Sequence, residues 1–312
     1  MRDDKRLIID IHVHPHLSEN HILKEMREAG VDYSVLLGVD ADPMDVEIPE
    51  IKEKLRKIQL KLFYHPIFFR PIEETIKESF YSFVRSYPDL KYTNLDIAEL
   101  VRKHPDKFIG FGSVNPNKDE EYVRTKLREI DELGLKGIKM LPTFQLFNPQ
   151  DNKNFETICE HCEKNRKIIL YHTGCDPGPW EIPELSEDAN PKYLEPVLER
   201  YKPSIILAHT GSYSSRQPGI WFEEALSLGK KFDNVLFDSS AVGWLIYRDK
   251  VIKRIREDIG LERLLYGSDY PVVLASSMKY EVELIEDCKY LTEEEKDRIL
   301  GLNAAELLNI NS

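Results

Sequence analysis

Two histidines near the amino end, His12 and His14, are the residues of this chain best suited to binding a metal. They lie one residue apart in an apolar segment, residues 7–14, whose branched side chains favour a β-strand. Because side chains alternate along a strand, the two imidazoles should share one face with Asp10. The opposite face should be apolar and covered by helices: Ile9, Ile11 and Val13. Both imidazoles could then bind one divalent ion, since zinc–nitrogen bonds are only about 2.0–2.1 Å long.

Three more groups with ligand or acid–base chemistry end later predicted strands, namely His172, His209 and Asp269. A Thr-Gly pair follows each of the two histidines, and Tyr-Pro follows the aspartate, so the strand ends are uncrowded. Core packing would explain a single buried histidine. Five such groups at four strand ends instead predict a shared metal centre.

The elements that must position these groups alternate between strand and helix signals along the whole chain. Apolar runs of strand length predict eight strands, and helical patterns separate them. This alternation predicts a (β/α)8 barrel, in which catalytic groups sit at the carboxyl ends of the strands. The predicted strands are residues 7–14, 31–37, 108–114, 136–141, 167–172, 204–209, 234–239 and 263–269.

The alternation is interrupted once, between the second and third strands. Residues 38–105 are far longer than the usual βα loop and carry several amphipathic helical patterns. We interpret this segment as a helical insertion over the barrel mouth, with Phe68, Phe69 and Arg70 as candidate pocket walls. No linker or low-complexity stretch divides the chain, so one domain over residues 1–312 is expected.

Composition narrows the class of protein further. The 312 residues are 41% hydrophobic and 31% charged, as in a globular protein with a real core. A net charge of −12 argues against a nucleic-acid partner. The chain has no apolar run long enough to span a membrane and no apolar signal region near Met1. Four unevenly spaced cysteines do not form a disulfide framework, so a cytoplasmic location is expected.

The motifs at the strand ends resemble the amidohydrolase superfamily. The resemblance rests on His-x-His in the first strand, on the histidines of the fifth and sixth strands, and on Gly-Ser-Asp-Tyr-Pro at 267–271. The resemblance is greatest to the amidohydrolase-related branch that includes aminocarboxymuconate-semialdehyde decarboxylase. Residues 301–308 also resemble the carboxyl-terminal end of that branch. It covers essentially the whole chain and is weakest in the insertion.

The resemblance implies a ligand set and a division of roles. By resemblance, His12, His14, His172 and Asp269 would bind one divalent metal ion, expected to be zinc. His209 would act beside the metal as acid, base or electrophile, and Asp269 would also exchange a proton. Some members of the superfamily bridge two metals with a carboxylated lysine on the fourth strand. Lys139 falls there, so a binuclear site stays open as the alternative.

The reaction is less well determined than the metal centre. The leading interpretation is a metal-dependent hydrolase that uses a metal-activated water on a small amide, ester or lactone. The alternative is a non-oxidative decarboxylase of an aromatic or unsaturated acid, and a barrel that only binds a ligand is a third possibility. A homodimer is expected from the resemblance. Candidate substrate contacts are Arg70, Phe144, Gln145, Trp180, Tyr213, Trp221 and Trp244.

Overall fold

The computed structural model describes residues 6–62, 70–273 and 276–310 and contains an eight-stranded parallel sheet. The strands pair in chain order from β1 to β8. Hydrogen bonds from Ile11 N to Tyr266 O (3.1 Å) and from His14 N to Tyr270 O (2.8 Å) join the last strand to the first. The predicted (β/α)8 barrel is therefore confirmed. The strands are β1 Ile9–Val13, β2 Tyr33–Leu37, β3 Phe108–Ser113, β4 Gly137–Met140, β5 Ile168–Tyr171, β6 Ser204–Leu207, β7 Val235–Asp238 and β8 Leu264–Leu265.

Helices follow each strand in the described part of the chain. Most carry one buried apolar face toward the strands, as an amphipathic pattern predicts. No helix among the described residues combines the length and the apolar character needed to cross a membrane. The α-helices are α1 Glu19–Ala29, α2 Pro49–Lys61, α3 Ile72–Ser86, α4 Asn94–Lys103, α5 Glu120–Glu132, α6 Pro142–Gln145, α7 Lys153–Asn165, α8 Pro183–Ser186, α9 Glu195–Leu198, α10 Phe222–Lys231, α11 Gly243–Ile246, α12 Asp249–Asp258, α13 Met278–Glu286, α14 Glu293–Asp297 and α15 Asn303–Leu308.

The apolar core has two main layers, and they correct the predicted faces of β1. One layer packs helices against outward strand residues such as Ile169 and Tyr171. The other joins inward residues of several strands and is closed by α15; it contains Ile9 and Ile11. We predicted these isoleucines on the outer face, which was wrong. The register of β1 against β2 shifts between Asp10 and Val13, so simple alternation fails there.

The segment between β2 and β3 contains a 3₁₀ turn at Pro43–Glu47 and helices α2, α3 and α4. Polar contacts connect its start to the loop after β3. Asn115 Nδ2 donates to Asp45 Oδ2 (2.6 Å), and Lys118 Nζ donates to both Asp42 (2.8 Å) and Asp45 (2.6 Å). These contacts hold the segment against the carboxyl end of the barrel. Phe68 and Phe69, predicted as pocket walls, lie outside the described residues.

A buried carboxyl group on α13 gives the fold a testable pH dependence. Glu281 is 3% exposed and accepts a hydrogen bond from Ser276 Oγ (2.7 Å). Burial is the main cause that raises its pKa from 4.5 to about 7. A raised native pKa means that this group's stabilising contribution is complete below about pH 4.5 and is lost as the pH rises through 7.

Glu281→Gln should therefore raise the free energy of unfolding at pH 8 while changing it little at pH 4.5. The shift from 4.5 to about 7 corresponds to an upper bound of about 3 kcal/mol. Urea unfolding at both pH values measures the difference. Glu283→Gln, on the exposed side of the same helix, is the matched control. Equal effects of the two substitutions at pH 8 would contradict the assignment.

Candidate active site

The five groups predicted at strand ends all lie at the carboxyl end of the barrel and are nearly inaccessible to solvent. His12 lies in the last pleat of β1, and His14 directly follows that strand. His172 directly follows β5, and His209 is the second residue after β6. Asp269 lies after β8, where its backbone N–H donates to His12 O (2.9 Å). None of the five residues is more than 7% exposed. The barrel thus brings together residues that are up to 257 positions apart in the chain, from His12 to Asp269.

Three of the predicted ligands form a compact donor set. His12 Nε2 lies 3.2 Å from His14 Nε2. Asp269 Oδ1 lies 3.4 Å from the first of these nitrogens and 3.3 Å from the second. Two nitrogen donors on a tetrahedral zinc ion, at the usual bond lengths, are themselves about 3.3 Å apart. The spacing of these three atoms therefore matches the edge of a metal coordination shell.

The other two histidines extend this set. His209 Nε2 lies 3.2 Å from His172 Nδ1. One donor atom each of His12, His209 and Asp269 lies within 4.8 Å of the other two. His172 is thus connected to the cluster through His209. His209 therefore lies close enough to the proposed ligands to bind the same metal ion itself.

Hydrogen bonds on the far side of two imidazoles, those of His12 and His209, orient their lone pairs inward. His12 Nδ1 donates to Asp238 Oδ2 (2.9 Å), which leaves Nε2 as the acceptor nitrogen. His209 Nδ1 donates to the carbonyl of Ser240 (2.8 Å), and His172 Nε2 lies 3.2 Å from Asp176 Oδ2. The inward nitrogens are then unprotonated and face one another. Such an arrangement is repulsive unless a cation or a proton lies between the lone pairs.

The charge state of the cluster fits a divalent cation. Burial lowers the pKa values of His12, His14 and His172 well below 6.5, so these imidazoles are neutral at pH 7. Burial raises the pKa of Asp269 to about 6, which leaves this carboxylate mostly ionised at pH 7. Asp269 Oδ2 is buried and has no hydrogen-bond partner within the described part of the chain. Neutral imidazoles and an ionised carboxylate are the donors that a divalent transition metal prefers.

Lys139 lies beneath the cluster on β4. Its side chain is fully buried, and Nζ lies 3.0 Å from His12 Nε2. Burial lowers the pKa of this ammonium to about 8. A metal bound at His12 Nε2 would compete with Lys139 for the same lone pair. A bridging role for Lys139 in a binuclear site stays a prediction.

Several residues that shape the site were not singled out from the sequence. Asp238 ends β7; besides holding the His12 ring, it accepts from His209 N (2.7 Å). Ser240 Oγ lies 2.9 Å from Nδ1 of both His12 and His209. The signal for Asp238 was present, because it lies one residue before the end of the predicted strand 234–239. Asp176 lies in the long loop after β5, where no strand pattern points to it; burial raises its pKa to about 7, and Thr143 Oγ1 donates to it.

Asp10 supports the site through hydrogen bonds with backbone N–H groups, and not by orienting the imidazole of a proposed ligand. Its Oδ1 accepts from His12 N (3.0 Å) and from Ser268 N (3.0 Å), so it joins the ends of β1 and β8. Burial raises the pKa of this carboxyl to about 7. Asp10 therefore positions His12 and the turn that carries Asp269.

The backbone is strained at two of the candidate catalytic positions. His209 has φ 61° and Asp269 has φ 59°, both in the left-handed region that non-glycine residues rarely adopt. Thr210 shares this conformation (φ 51°), and its hydroxyl donates to Asp238 O (2.7 Å). Strain of this kind costs about 1–3 kcal/mol per residue and clusters at functional sites. Here it aims the side chains of His209 and Asp269 into the barrel mouth.

A cavity of about 480 Å³ opens onto the cluster. His14, His172, His209 and Asp269 form its floor, and helix α3 and the loops after β4 and β5 form its walls. Among the candidate substrate contacts, Phe144, Trp180 and Tyr213 line this cavity.

The remaining candidate contacts have structural surroundings. The side chain of Gln145 forms hydrogen bonds with backbone groups and accepts one of them from Leu141 N (2.8 Å). Trp221 packs with Cys175 and Ala189. Trp244 and Arg70 are exposed, and Arg70 pairs with Glu78 (3.0 Å).

A family model for amidohydrolases matches residues 9–310, nearly the whole chain. The chain therefore belongs to the amidohydrolase family, as the strand-end motifs predicted. It is an enzyme of that superfamily, with a candidate divalent-metal site at the carboxyl end of the barrel strands.

One sequence relative of this chain is a decarboxylase. The chain is 27% identical over 249 residues to a 2-amino-3-carboxymuconate-6-semialdehyde decarboxylase of Dictyostelium discoideum. That match spans 71% of this chain and 66% of the relative's length.

Two solved structures show the same fold. A TIM-barrel protein of Bordetella bronchiseptica has a TM-score of 0.66 and 16% identity, with 97% of this chain and 98% of that chain covered. A dihydroxybenzoic acid decarboxylase of Polaromonas, with manganese and 2-nitroresorcinol bound, has a TM-score of 0.61 and 14% identity, with 98% and 97% covered.

Proposed function

We propose that this protein is a metal-dependent, non-oxidative decarboxylase of an aromatic or unsaturated acid. The observation that carries the choice over hydrolysis is the similarity, along 71% of the chain, to a decarboxylase. The leading interpretation from the sequence was hydrolysis, which the same groups could also perform. The comparisons favour the decarboxylase alternative.

The residues of this chain supply what the reaction needs. Decarboxylation breaks one carbon–carbon bond, releases carbon dioxide and delivers one proton to the carbon that is left. When bound, a divalent ion supplies charge stabilisation for the substrate's carboxylate and a neighbouring oxygen. His209 lies in the floor of the cavity, and its Nδ1 is fixed by the carbonyl of Ser240. This geometry suits His209 to hold and transfer the proton.

Asp269 has a second role besides ligation in this proposal. Its carboxylate lies within 3.4 Å of both His12 and His14 and lines the cavity floor. A carboxylate in this position, beside the proposed ligands and at the cavity floor, can accept a proton and return it during the reaction. The aromatic walls exclude water from the floor, which strengthens these interactions.

We propose zinc as the ion, since imidazole nitrogen and carboxylate oxygen are typical zinc donors. The Polaromonas decarboxylase contains manganese, so manganese is the competing ion. The homodimer, the single domain and the cytoplasmic location stay predictions.

A substrate panel tests the proposed function. Metal-loaded protein is incubated with aromatic and unsaturated acids and, in parallel, with esters, lactones and amides of similar size. The proposal predicts carbon dioxide release from an acid, lost after chelation and restored by the metal. Hydrolysis of a panel ester, lactone or amide, without release of carbon dioxide from any acid, would replace the proposal by the hydrolase alternative. Binding without turnover of any compound would favour a protein that only binds a ligand.

A further inference from the structure

Asp238, the last residue of β7, forms hydrogen bonds to three residues' worth of the candidate site with one buried carboxylate. Its Oδ2 accepts from His12 Nδ1 (2.9 Å). Its Oδ1 accepts from His209 N (2.7 Å), from Ser240 N (3.0 Å) and from Ser240 Oγ (2.5 Å). Three donors thus hold Oδ1 in place, and the planar carboxylate directs Oδ2 at the ring of His12.

The hydroxyl of Ser240 lies between the imidazoles of His12 and His209. Its Oγ is 2.9 Å from Nδ1 of His12 and 2.9 Å from Nδ1 of His209. A hydroxyl carries one proton and two lone pairs. Because the proton is donated to Asp238 Oδ1, the lone pairs are left to accept from the two rings. This single oxygen atom therefore favours a proton on Nδ1 of both histidines.

A second oxygen atom faces each of these two nitrogens. His12 Nδ1 also faces Asp238 Oδ2, and His209 Nδ1 also faces the backbone carbonyl of Ser240 (2.8 Å). An unprotonated Nδ1 would place its lone pair against two oxygen atoms, which is unfavourable in a buried site of low dielectric. A neutral imidazole in either place therefore carries its one proton on Nδ1 and leaves Nε2 free to accept.

Asp238 also holds the strained backbone that carries His209. His209 and Thr210 have φ values of 61° and 51°. Asp238 Oδ1 accepts from His209 N, and the backbone carbonyl of Asp238 accepts from Thr210 Oγ1 (2.7 Å). Two successive non-glycine residues keep a left-handed conformation only where their surroundings hold them. The same aspartate thus fixes the ring of one histidine and the backbone of the other.

We propose that Asp238 and Ser240 are a positioning pair that sets the tautomers of His12 and His209 together. The pair keeps Nε2 of His12 free for the metal, and it keeps Nε2 of His209 free to take up and return the proton. The His209 part rests on the proposed decarboxylase function, whereas the His12 part requires only the metal site. Neither Asp238 nor Ser240 is among the described residues that line the cavity, so both act through the two histidines.

Nitrogen NMR of the full chain, labelled with ¹⁵N-histidine, tests the tautomers without any substitution in the pair. His12→Asn and His209→Asn identify the two sets of signals. The spectra are recorded at pH 8, well above the ordinary imidazole pKa of about 6.5. We expect a proton on Nδ1 of both histidines, in the zinc-loaded protein and after chelation. A proton on Nε2 instead, in His12 after chelation or in His209 in either state, would overturn the proposal.

Asp238→Asn keeps the shape of the side chain and turns one of its oxygens into a donor. The three donors at Oδ1 should keep the amide oxygen there, which places the NH₂ group against His12 Nδ1. His12 Nδ1 must then accept, so its proton moves to Nε2, the nitrogen proposed to bind the metal. We expect the zinc affinity, measured by competition with a chelator, to fall about 10–100-fold.

The His12 signals of Asp238→Asn separate positioning from a merely structural role. After chelation they should report a proton on Nε2 in place of Nδ1. Native zinc affinity together with the native tautomer would overturn the proposal. A lower zinc affinity with the proton still on Nδ1 would also overturn it, because the loss would then come from packing and not from the tautomer.

Ser240→Ala removes the shared oxygen atom and keeps the backbone carbonyl. His12 retains Asp238 Oδ2, so the zinc affinity should stay within about threefold of the native value. His209 loses one of its two acceptors, so turnover of the acid identified in the panel should fall about fivefold, as for one neutral hydrogen bond. Ser239→Ala is the matched control, because this neighbouring hydroxyl instead accepts from Tyr247 (2.8 Å). Equal effects of the two substitutions would remove Ser240 from the pair.

The outcomes separate this inference from the proposed function, because tautomers and zinc affinity do not depend on which compound is turned over. If both follow the prediction but no acid releases carbon dioxide, the proposed function fails while the positioning of His12 stands. If carbon dioxide is released and the neutral His209 carries its proton on Nε2, the proposed function stands while the inference fails.

Discussion

Replacing Asp269 by asparagine is expected to remove the bound metal and to lower turnover at least about 1,000-fold. Asp269 is the one carboxylate among the five convergent groups, and its Oδ1 lies within 3.4 Å of both His12 Nε2 and His14 Nε2. An amide of the same size keeps the shape of the side chain but loses the charge that a divalent ion needs. Losing several kcal/mol of charge stabilisation corresponds to a rate decrease of this size.

Elemental analysis of purified protein checks this prediction. Native protein should contain about one equivalent of metal per chain, in keeping with one cluster of donors. Asp151→Asn, an exposed aspartate, is the control and should retain that equivalent. Full metal content in Asp269→Asn would remove Asp269 from the ligand set. Nearly two equivalents in the native protein would favour the binuclear alternative with Lys139.

Replacing His209 by asparagine is expected to lower turnover about 10²–10⁴-fold while the metal stays bound. The three donor atoms of His12, His14 and Asp269 already lie 3.2–3.4 Å from one another without it. Asparagine tolerates the left-handed backbone found at this position (φ 61°), so the fold should survive the change. What is lost is the imidazole at the cavity floor.

The position of His209 makes this experiment a real test of its role. His209 lies within 4.8 Å of two proposed ligands, close enough to be a ligand itself. Loss of the metal in His209→Asn would make it one, and near-normal turnover would make it a structural histidine. Either result would contradict the acid–base assignment. His21→Asn, at an exposed position of α1, controls for the general effect of removing an imidazole.

The sequence predicted the barrel and the members of the site because both depend on local pattern. Parallel strands with both faces covered read as short apolar runs, and their carboxyl ends meet on one side of the barrel. His172, His209 and Asp269 each end such a run, so their meeting followed from the fold alone. The faces of β1 could not be predicted in the same way. Ile9 and Ile11 pack inside the barrel, Val13 packs with the outer layer, and the register of β1 against β2 shifts between Asp10 and Val13.

Residues that act through tertiary contacts were harder to find. Asp238 could have been identified, because it lies next to the end of the predicted strand 234–239. Asp176 and Phe83 could not, since they lie in a long loop and in the helical segment after β2, where sequence pattern does not set the distance to the site. Their roles depend on how these segments fold back over the barrel mouth. Arg70 and Trp244 show the opposite error, because their chemistry suited a pocket but the fold leaves both exposed.

The fate of the carboxylate carbon tests the central claim most directly. The acid consumed in the substrate panel is prepared with ¹³C in its carboxylate and incubated with metal-loaded enzyme in D₂O. Decarboxylation predicts that the label appears in carbon dioxide and bicarbonate as fast as the acid disappears, with one deuterium on the vacated carbon. Label that remains in the organic product, with no deuterium at that carbon, would contradict the account.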